Sequence, residues 1–303
     1  MKPLDLQVNG CAGVDFNADD LDEEQVLHAA AWMKEQGAAA FLPTLITAEL
    51  GVLEARLARL DRILCAHPEL EAVVPGIHLE GPFLSGESGY VGAHPPEHVL
   101  PAAPDRADRL LDAAGGRIRL VTLAPECDPA ARTTRHLTAL GVSVAAGHTN
   151  ASLEDLRRSI DEGLSLFTHL GNGCPPELPR HDNVIQRALS LAGDLCFSFI
   201  PDGMHVDFFA LKNYLRCAGP ENCLVVTDAI SAAGGEPGRH PLAGGFVTMG
   251  EDGVPRIPDG TQFAGSALGW RQLLDNLRNR LGLDEKTIRL LVETNPNRIL
   301  HRP

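Results

Sequence analysis

From Leu4 to Thr227 the chain repeats one pattern eight times: a short apolar run, often β-branched, followed by a longer segment of helical period. The runs lie near residues 4–9, 39–46, 73–80, 118–124, 142–147, 164–169, 195–200 and 223–227. Parallel strands can be joined only by a crossover, usually a helix, so this alternation predicts a parallel sheet covered by helices. The intervening segments carry their own signals. Asp22 and Gln25 have capping-box spacing ahead of Val26, Ala30 and Met33, with Gly37 as the stop, and Ser152 with Asp155 repeats the start before Leu153, Leu156 and Ile160. Eight strand–helix units predict an α/β chain closed as a (β/α)8 TIM barrel. No Gly-x-Gly-x-x-Gly follows the first run, which makes an open dinucleotide-binding sheet the weaker choice.

No linker divides the chain, so one barrel domain over 1–303 is expected. The long irregular stretch at about 229–262 is rich in Gly and Pro and contains "GFVTMGEDGVPRI", which predicts a hairpin turning at Gly250 to Gly253 over the barrel mouth. Helices from Gly269 and Asp284 would close the wall. A formal net charge of -14 with no Lys/Arg cluster argues against nucleic acid as a partner, and no apolar run approaches the twenty or so residues that span a bilayer. "MKPLDLQVNG" has no signal-peptide apolar region, which predicts a cytoplasmic protein. The seven cysteines are scattered and include no Cys-x-x-Cys, so neither a disulfide framework nor a thiolate metal site is expected.

In barrels of this kind the C-terminal strand ends carry chemistry. Read in order, those ends supply Gln7 and Asn9, Thr44, Glu80, Glu126, His148, His169, Asp202 with His205, and Asp228. Glu80, His148 and His169 form a plausible triad for one divalent ion: zinc first, with iron, manganese or cobalt open to the same donors. A fourth position would take water, whose pKa zinc lowers to about 7. Asp228 is placed to act as general base toward that water and then as general acid toward a leaving amine. His78, two residues before Glu80 on the same face, is expected to hydrogen bond behind the ligands. Glu126 is divided between a rim salt bridge and a substrate contact. Gln7 and Asn9 are divided between rim hydrogen bonding and orienting the ligands. His28, His67, His98, His136, His240 and His301 read as surface residues.

The strings "DLQVNG", "GIHLEGPFL", "GAHPP", "TLAPE", "AAGHTN", "FTHLGNG", "PDGMHV", "VTDAISAAG", "FAGSAL" and "ETNPNRIL" occur in the order, and nearly the spacing, of N-acetylglucosamine-6-phosphate deacetylases of the amidohydrolase superfamily, which the chain resembles from Asp5 to Leu300. The resemblance implies Glu80, His148 and His169 as metal ligands and Asp228 as catalytic acid/base. It also implies His205 near the scissile carbonyl and the sugar beside Asp202, and His94, next to Ala93, on sugar hydroxyls. Asn172 and Gly173 would be backbone donors to the anionic end of the substrate, and Phe263, Ala264 and Gly265 its far wall. Gln7-x-Asn9 stands where many amidohydrolases carry a His-x-His pair, so one ion per chain is expected.

Two departures stand out. The first strand begins near Leu4, leaving no room within these residues for the small β-sandwich that family members carry. The segment after His169 reads "GNGCPPELPRHDNVIQR", with Arg180 at the place of the arginine that reaches the sugar phosphate from a neighbouring subunit, which implies a homodimer. The expected reaction is hydrolysis of the acetamido group of N-acetylglucosamine 6-phosphate. A non-phosphorylated N-acetyl sugar or an N-acyl amino acid is the close alternative, and a non-catalytic sugar-binding barrel is the alternative from another class.

Overall fold

Strands that are buried on both faces belong inside a layered α/β architecture, and this chain has eight of them in one sheet. In the computed structural model, which describes residues 1–258, 260 and 262–300, they are β1 (Leu4–Val8), β2 (Ala40–Ile46), β3 (Ile77–Glu80), β4 (Ile118–Leu123), β5 (Ser143–Ala146), β6 (Leu166–Phe167), β7 (Cys196–Phe199) and β8 (Cys223–Val225). Each pairs in parallel with the next, through registers such as Thr44 with His78 and Val121 with Val144. The seam between first and last strands is closed differently. Val8 bridges Ala229, the Asp228 N–H donates to the Gln7 carbonyl at 3.0 Å, and the Thr227 hydroxyl donates to the buried Asp5 carboxylate at 2.6 Å. A side chain here takes over part of the work of a backbone ladder.

The predicted helix starts are present. Helix α1 (Glu23–Gln36) opens on the Asp22/Gln25 capping box and stops at a left-handed Gly37, with Val26, Ala30 and Met33 buried. Between β2 and β6 follow α2 (Leu50–Ala66), α3 (Pro104–Ala113), α4 (Arg132–Ala139) and α5 (Leu153–Asp161), the last opened by Ser152 and Asp155. Helices α6 (Val184–Leu189) and α7 (Phe208–Ala218) complete the series up to β8. Two strands fall furthest short of their apolar runs. Val73 and Val74 are excluded from β3 by Pro75 and Gly76, and β6 ends before His169, whose φ of 32° leaves the extended region.

Period-two alternation stacks the barrel interior in layers. Leu42, Leu120, Ala145, Leu166, Cys196 and Leu224 form an apolar cluster with Leu4 and Ile299. Two residues further along their strands stand Thr44, Thr122, Thr168 and Ser198, a hydroxyl layer that takes in His78 and Gln7. After β8, Gly238–Leu242, Gly245–Met249 and Pro255–Arg256 form a three-stranded antiparallel meander, one strand more than a simple hairpin. Val247 and Met249 bury against Ile230 and Ala264, which ties the meander to the segment after β8. Helices at Trp270–Asp275 and Glu285–Arg289 have Gly269 and Asp284 as their N-caps. Among the described residues no helix is long and apolar enough to cross a membrane. His301 and positions 259 and 261 of the irregular stretch lie outside the described residues.

Asp5→Ala strands the Thr227 N–H and hydroxyl at the seam, and each unsatisfied buried group costs about 1–3 kcal/mol. Urea unfolding should show that loss, while a substitution of exposed Asp194 should leave the midpoint in place.

Candidate active site

Glu80 ends β3, and His148 and His169 follow the ends of β5 and β6, so the barrel points all three toward one axis. Their ligand atoms lie within 4.8 Å of one another and all three residues are buried. Glu80 Oε1 is 2.8 Å from His169 Nε2 and 3.5 Å from His148 Nε2. Burial works against ionising Glu80, but the two imidazoles outweigh it and hold the carboxyl well below its ordinary range. The Tyr90 carbonyl can only accept, so His148 Nδ1, 3.0 Å away, donates to it, with Nε2 turned toward Glu80. A Cβ on Gly92 or Gly173 would lie about 3 Å from the His148 ring, so these two positions keep the imidazole in place by having no side chain.

Three non-glycine residues of the site have left-handed backbone: His148 (φ 50°), His169 (φ 32°) and Asp228 (φ 50°). Such conformations cost on the order of 1–3 kcal/mol each and persist only where surrounding structure imposes them. At Asp228 the constraint is visible. Its N–H is held by Gln7 on β1, and its carbonyl accepts from the Ser266 N–H at 2.9 Å. The turn aims the carboxylate into the same cavity as Glu80, where burial and the nearby Glu80 charge push its pKa up to about 6.

The cavity has a volume of about 560 Å³. Asn9, Glu80, His94, His148, His169, His205 and Asp228 bring its polar chemistry, and Pro175, Pro176, Leu178, Ile185 and Ile230 bring an apolar wall. Among the described residues, no Lys or Arg lines it. Two carboxylates and a cluster of imidazoles without a basic side chain among the described residues, together with a buried His169 Nδ1 that has no partner, form a donor set suited to a divalent cation.

The other sequence candidates sort clearly. Asp202 accepts from the N–H groups of Met204 and His205 and pairs with His205 Nδ1 at 2.6 Å, which aims that ring into the cavity. Burial raises the Asp202 pKa, but these contacts more than offset it and hold the carboxyl low. Phe263 stands edge-on to His205, with ring centroids 5.5 Å apart, and Ala264 and Gly265 continue that wall. Ala93 lies at the rim beside His94. His94 is deeper than a sugar-hydroxyl contact alone requires: it is buried, bonded to Thr47, and its Nε2 is 3.8 Å from Glu80 Oε2. Burial and the neighbouring His148 push its pKa down to about 3, so it is a neutral ring.

Asn172 is a correction, because its backbone N–H is already donated to the His169 carbonyl at 2.9 Å. Of the expected pair of backbone donors, only the Gly173 N–H has no partner among the described residues. Arg180 is exposed and is not among the cavity-lining residues of its own chain.

Glu126 has no salt bridge among the described residues and does not line the cavity. It accepts from Thr149 and from the Asn150 N–H, and so braces the turn after β5. His78 bonds Thr122 at 2.8 Å, and burial pushes its pKa down to about 4. Gln7 and Asn9 do more than the sequence pattern conveyed. Gln7 Nε2 donates to Glu80 at 3.0 Å while its Oε1 accepts from Thr168, and Asn9 Nδ2 donates to Asp228 at 2.7 Å. Thr47 and the Tyr90 carbonyl were not legible in advance, because their roles arise from loops meeting across the mouth.

None of the protein-family profiles matches the chain. Among curated proteins it is 34% identical over 266 residues to N-acetylglucosamine-6-phosphate deacetylase of Bos taurus, and spans 63% of that protein's length. It is 31% identical over 299 residues to N-acetylgalactosamine-6-phosphate deacetylase of Escherichia coli O157:H7, covering 98% of this chain and 76% of that one. Among solved structures, a variant of the Mycobacterium smegmatis N-acetyl-D-glucosamine-6-phosphate deacetylase, in complex with N-acetyl-D-glucosamine-6-phosphate, superposes with a TM-score of 0.89 at 30% identity. The overlap takes in 100% of this chain and 77% of that one. A likeness of this extent shows the family: the chain belongs to the N-acetylglucosamine-6-phosphate deacetylase family.

Proposed function

We propose that the protein hydrolyses the acetamido group of N-acetylglucosamine 6-phosphate, releasing acetate and glucosamine 6-phosphate. One observation carries this reading: Glu80, His148, His169 and Asp228 share a buried cavity in a chain that overlaps, along its whole length, a relative holding that sugar phosphate. Glu80, His148 and His169 would hold one divalent ion, zinc by preference. When bound, the ion supplies Lewis acidity at the carbonyl oxygen and acidifies a water molecule.

The chain's own groups do the rest. Asp228, ionised above about pH 6, takes a proton from the attacking water and returns it to the sugar nitrogen, so that the C–N bond breaks with a neutral amine leaving. His205, locked by Asp202, donates toward the acetamide carbonyl, and His94 faces the sugar hydroxyls. Ala93, Phe263, Ala264 and Gly265 enclose the ring, and Asn172 with Gly173 forms the turn at the anionic end, where the Gly173 N–H is the available donor. Because no basic side chain among the described residues lines the cavity, Arg180 from a second copy is the phosphate contact on this reading, and the working unit is a homodimer. A phosphorylated sugar is a metabolite of the cell interior, which supports a cytoplasmic location. The relatives include N-acetylgalactosamine-6-phosphate deacetylases of which this chain covers 76% and 73%, so the C4 epimer is the second substrate to assay.

Asp228→Asn should lower kcat by roughly 10²–10⁴-fold while leaving metal content unchanged. Retention of most of the rate would remove the acid/base assignment. Protonation of a carboxylate with a raised pKa removes the base, so kcat/KM should fall as pH drops through about 6 and hold above it. Glu80→Gln and His148→Ala should lose the ion on dialysis, as read by elemental analysis. Arg180→Ala should raise KM for the phosphorylated sugar roughly 10- to 100-fold and leave KM for plain N-acetylglucosamine where it was.

A further inference from the structure

A carboxylate only accepts hydrogen bonds, so the contact of 2.7 Å between Asn9 and Asp228 Oδ1 fixes which way the Asn9 amide is turned. Its nitrogen must face Asp228, and its oxygen must face the other way. That oxygen is buried and has no hydrogen-bond partner, in a residue that is 4% exposed and lines the cavity. An orphaned buried acceptor is destabilising, and in a binding cavity the natural remedy is a donor on the ligand. The backbone holds the residue rigidly for such a task. The Asn9 N–H donates to the Ala229 carbonyl at 2.7 Å, and its carbonyl accepts from the Phe16 N–H at 3.0 Å, so the side chain has a fixed root on the seam.

Of the substrate's own donors, the acetamide N–H is the one the reaction brings to Asp228, since the nitrogen that Asp228 protonates carries it. We propose that Asn9 is a substrate-contacting residue of the deacetylation: its Oδ1 accepts the N–H of the scissile amide while its Nδ2 occupies Asp228 Oδ1. This leaves Asp228 Oδ2 as the oxygen that carries the proton. The same amide group thus sets the proton shuttle and the nitrogen it must reach at a fixed separation. An amide substrate satisfies the orphaned oxygen, whereas an ester, which has no N–H, leaves it orphaned. This makes Asn9 a determinant of amide over ester selectivity. The inference rests on the deacetylase reading above.

The test compares wild type with Asn9→Ala on N-acetylglucosamine 6-phosphate and on its analogue with a 2-O-acetyl ester in place of the acetamide. Spontaneous ester hydrolysis is subtracted, and metal content and melting temperature are recorded. Loss of the Asp228 contact should slow both substrates. Loss of the N–H acceptor should add a further factor of roughly 10 or more on the amide alone, so the wild-type preference for amide over ester collapses in the variant. Asn9→Ser, which leaves a smaller cavity, repeats the comparison if Asn9→Ala does not fold. An equal loss on amide and ester overturns the inference and reduces Asn9 to a positioning residue for Asp228. Absence of acetate release from the amide by metal-loaded wild type overturns the deacetylase reading itself, so the two failures are distinguishable. In crystals of the inert Asp228→Ala variant soaked with the amide, the acetamide nitrogen should lie within about 3.2 Å of Asn9 Oδ1, and a nitrogen turned away from Asn9 would be a second refutation.

Discussion

The seam between β1 and β8 is the constraint on which the rest depends. A (β/α)8 sheet must be joined to itself somewhere, and here the join is made by few backbone hydrogen bonds and several side chains. Asp5 receives Thr227, Gln7 receives the Asp228 N–H, and Asn9 bonds to Ala229 through its backbone and to Asp228 through its amide. Each odd-numbered residue from Asp5 to Asn9 thus makes a closing contact. Gln7 and Asn9 also reach the carboxylates of the cavity, one on Glu80 and the other on Asp228. Barrel closure and site assembly are therefore one event.

The turns that leave the strands carry the second constraint. His148, His169 and Asp228 follow the ends of β5, β6 and β8 in left-handed backbone, which directs their side chains inward over the axis. The cost of those three turns is borne by ordinary parts of the fold: the hydroxyl layer beneath, the Ser198 hydroxyl that accepts from the His169 N–H at 2.7 Å, and the Ser266 N–H on the Asp228 carbonyl. Removing polar groups from that layer would disturb the aim of the site residues before it disturbed the fold.

Much of this was legible in the residues. Period-two and helical periodicities exposed eight strand–helix units, and the capping boxes at Asp22 and Ser152 marked helix starts to the residue, because both signals depend on near neighbours in sequence. The placement of Glu80, His148, His169 and Asp228 followed from a geometric rule of barrels. What could not be read depends on distant segments meeting. Tyr90 supplies a carbonyl to His148 across 58 positions, and Asn172 spends its N–H on a local turn rather than on a ligand. His94 packs its ring 4.4 Å from His148, closer to the ion site than its motif conveyed. Glu126 was divided between a rim salt bridge and a substrate contact, yet it serves the turn after the neighbouring strand. In each case the identity of the residue was informative, and its partner was set by loop conformation.

The Asp5–Thr227 contact joins residues 222 apart, which gives the fold a temporal order. During synthesis β1 emerges first and can pair on one side with β2, while its other edge waits until almost the whole sheet exists. An unpaired strand edge invites association with other chains, and an inward-pointing charge is a recognised deterrent to it. Asp5 therefore guards the open edge of the nascent sheet and later locks it. No partly made chain can possess the cavity, because the last strand to arrive brings the Asp228 carboxylate with it.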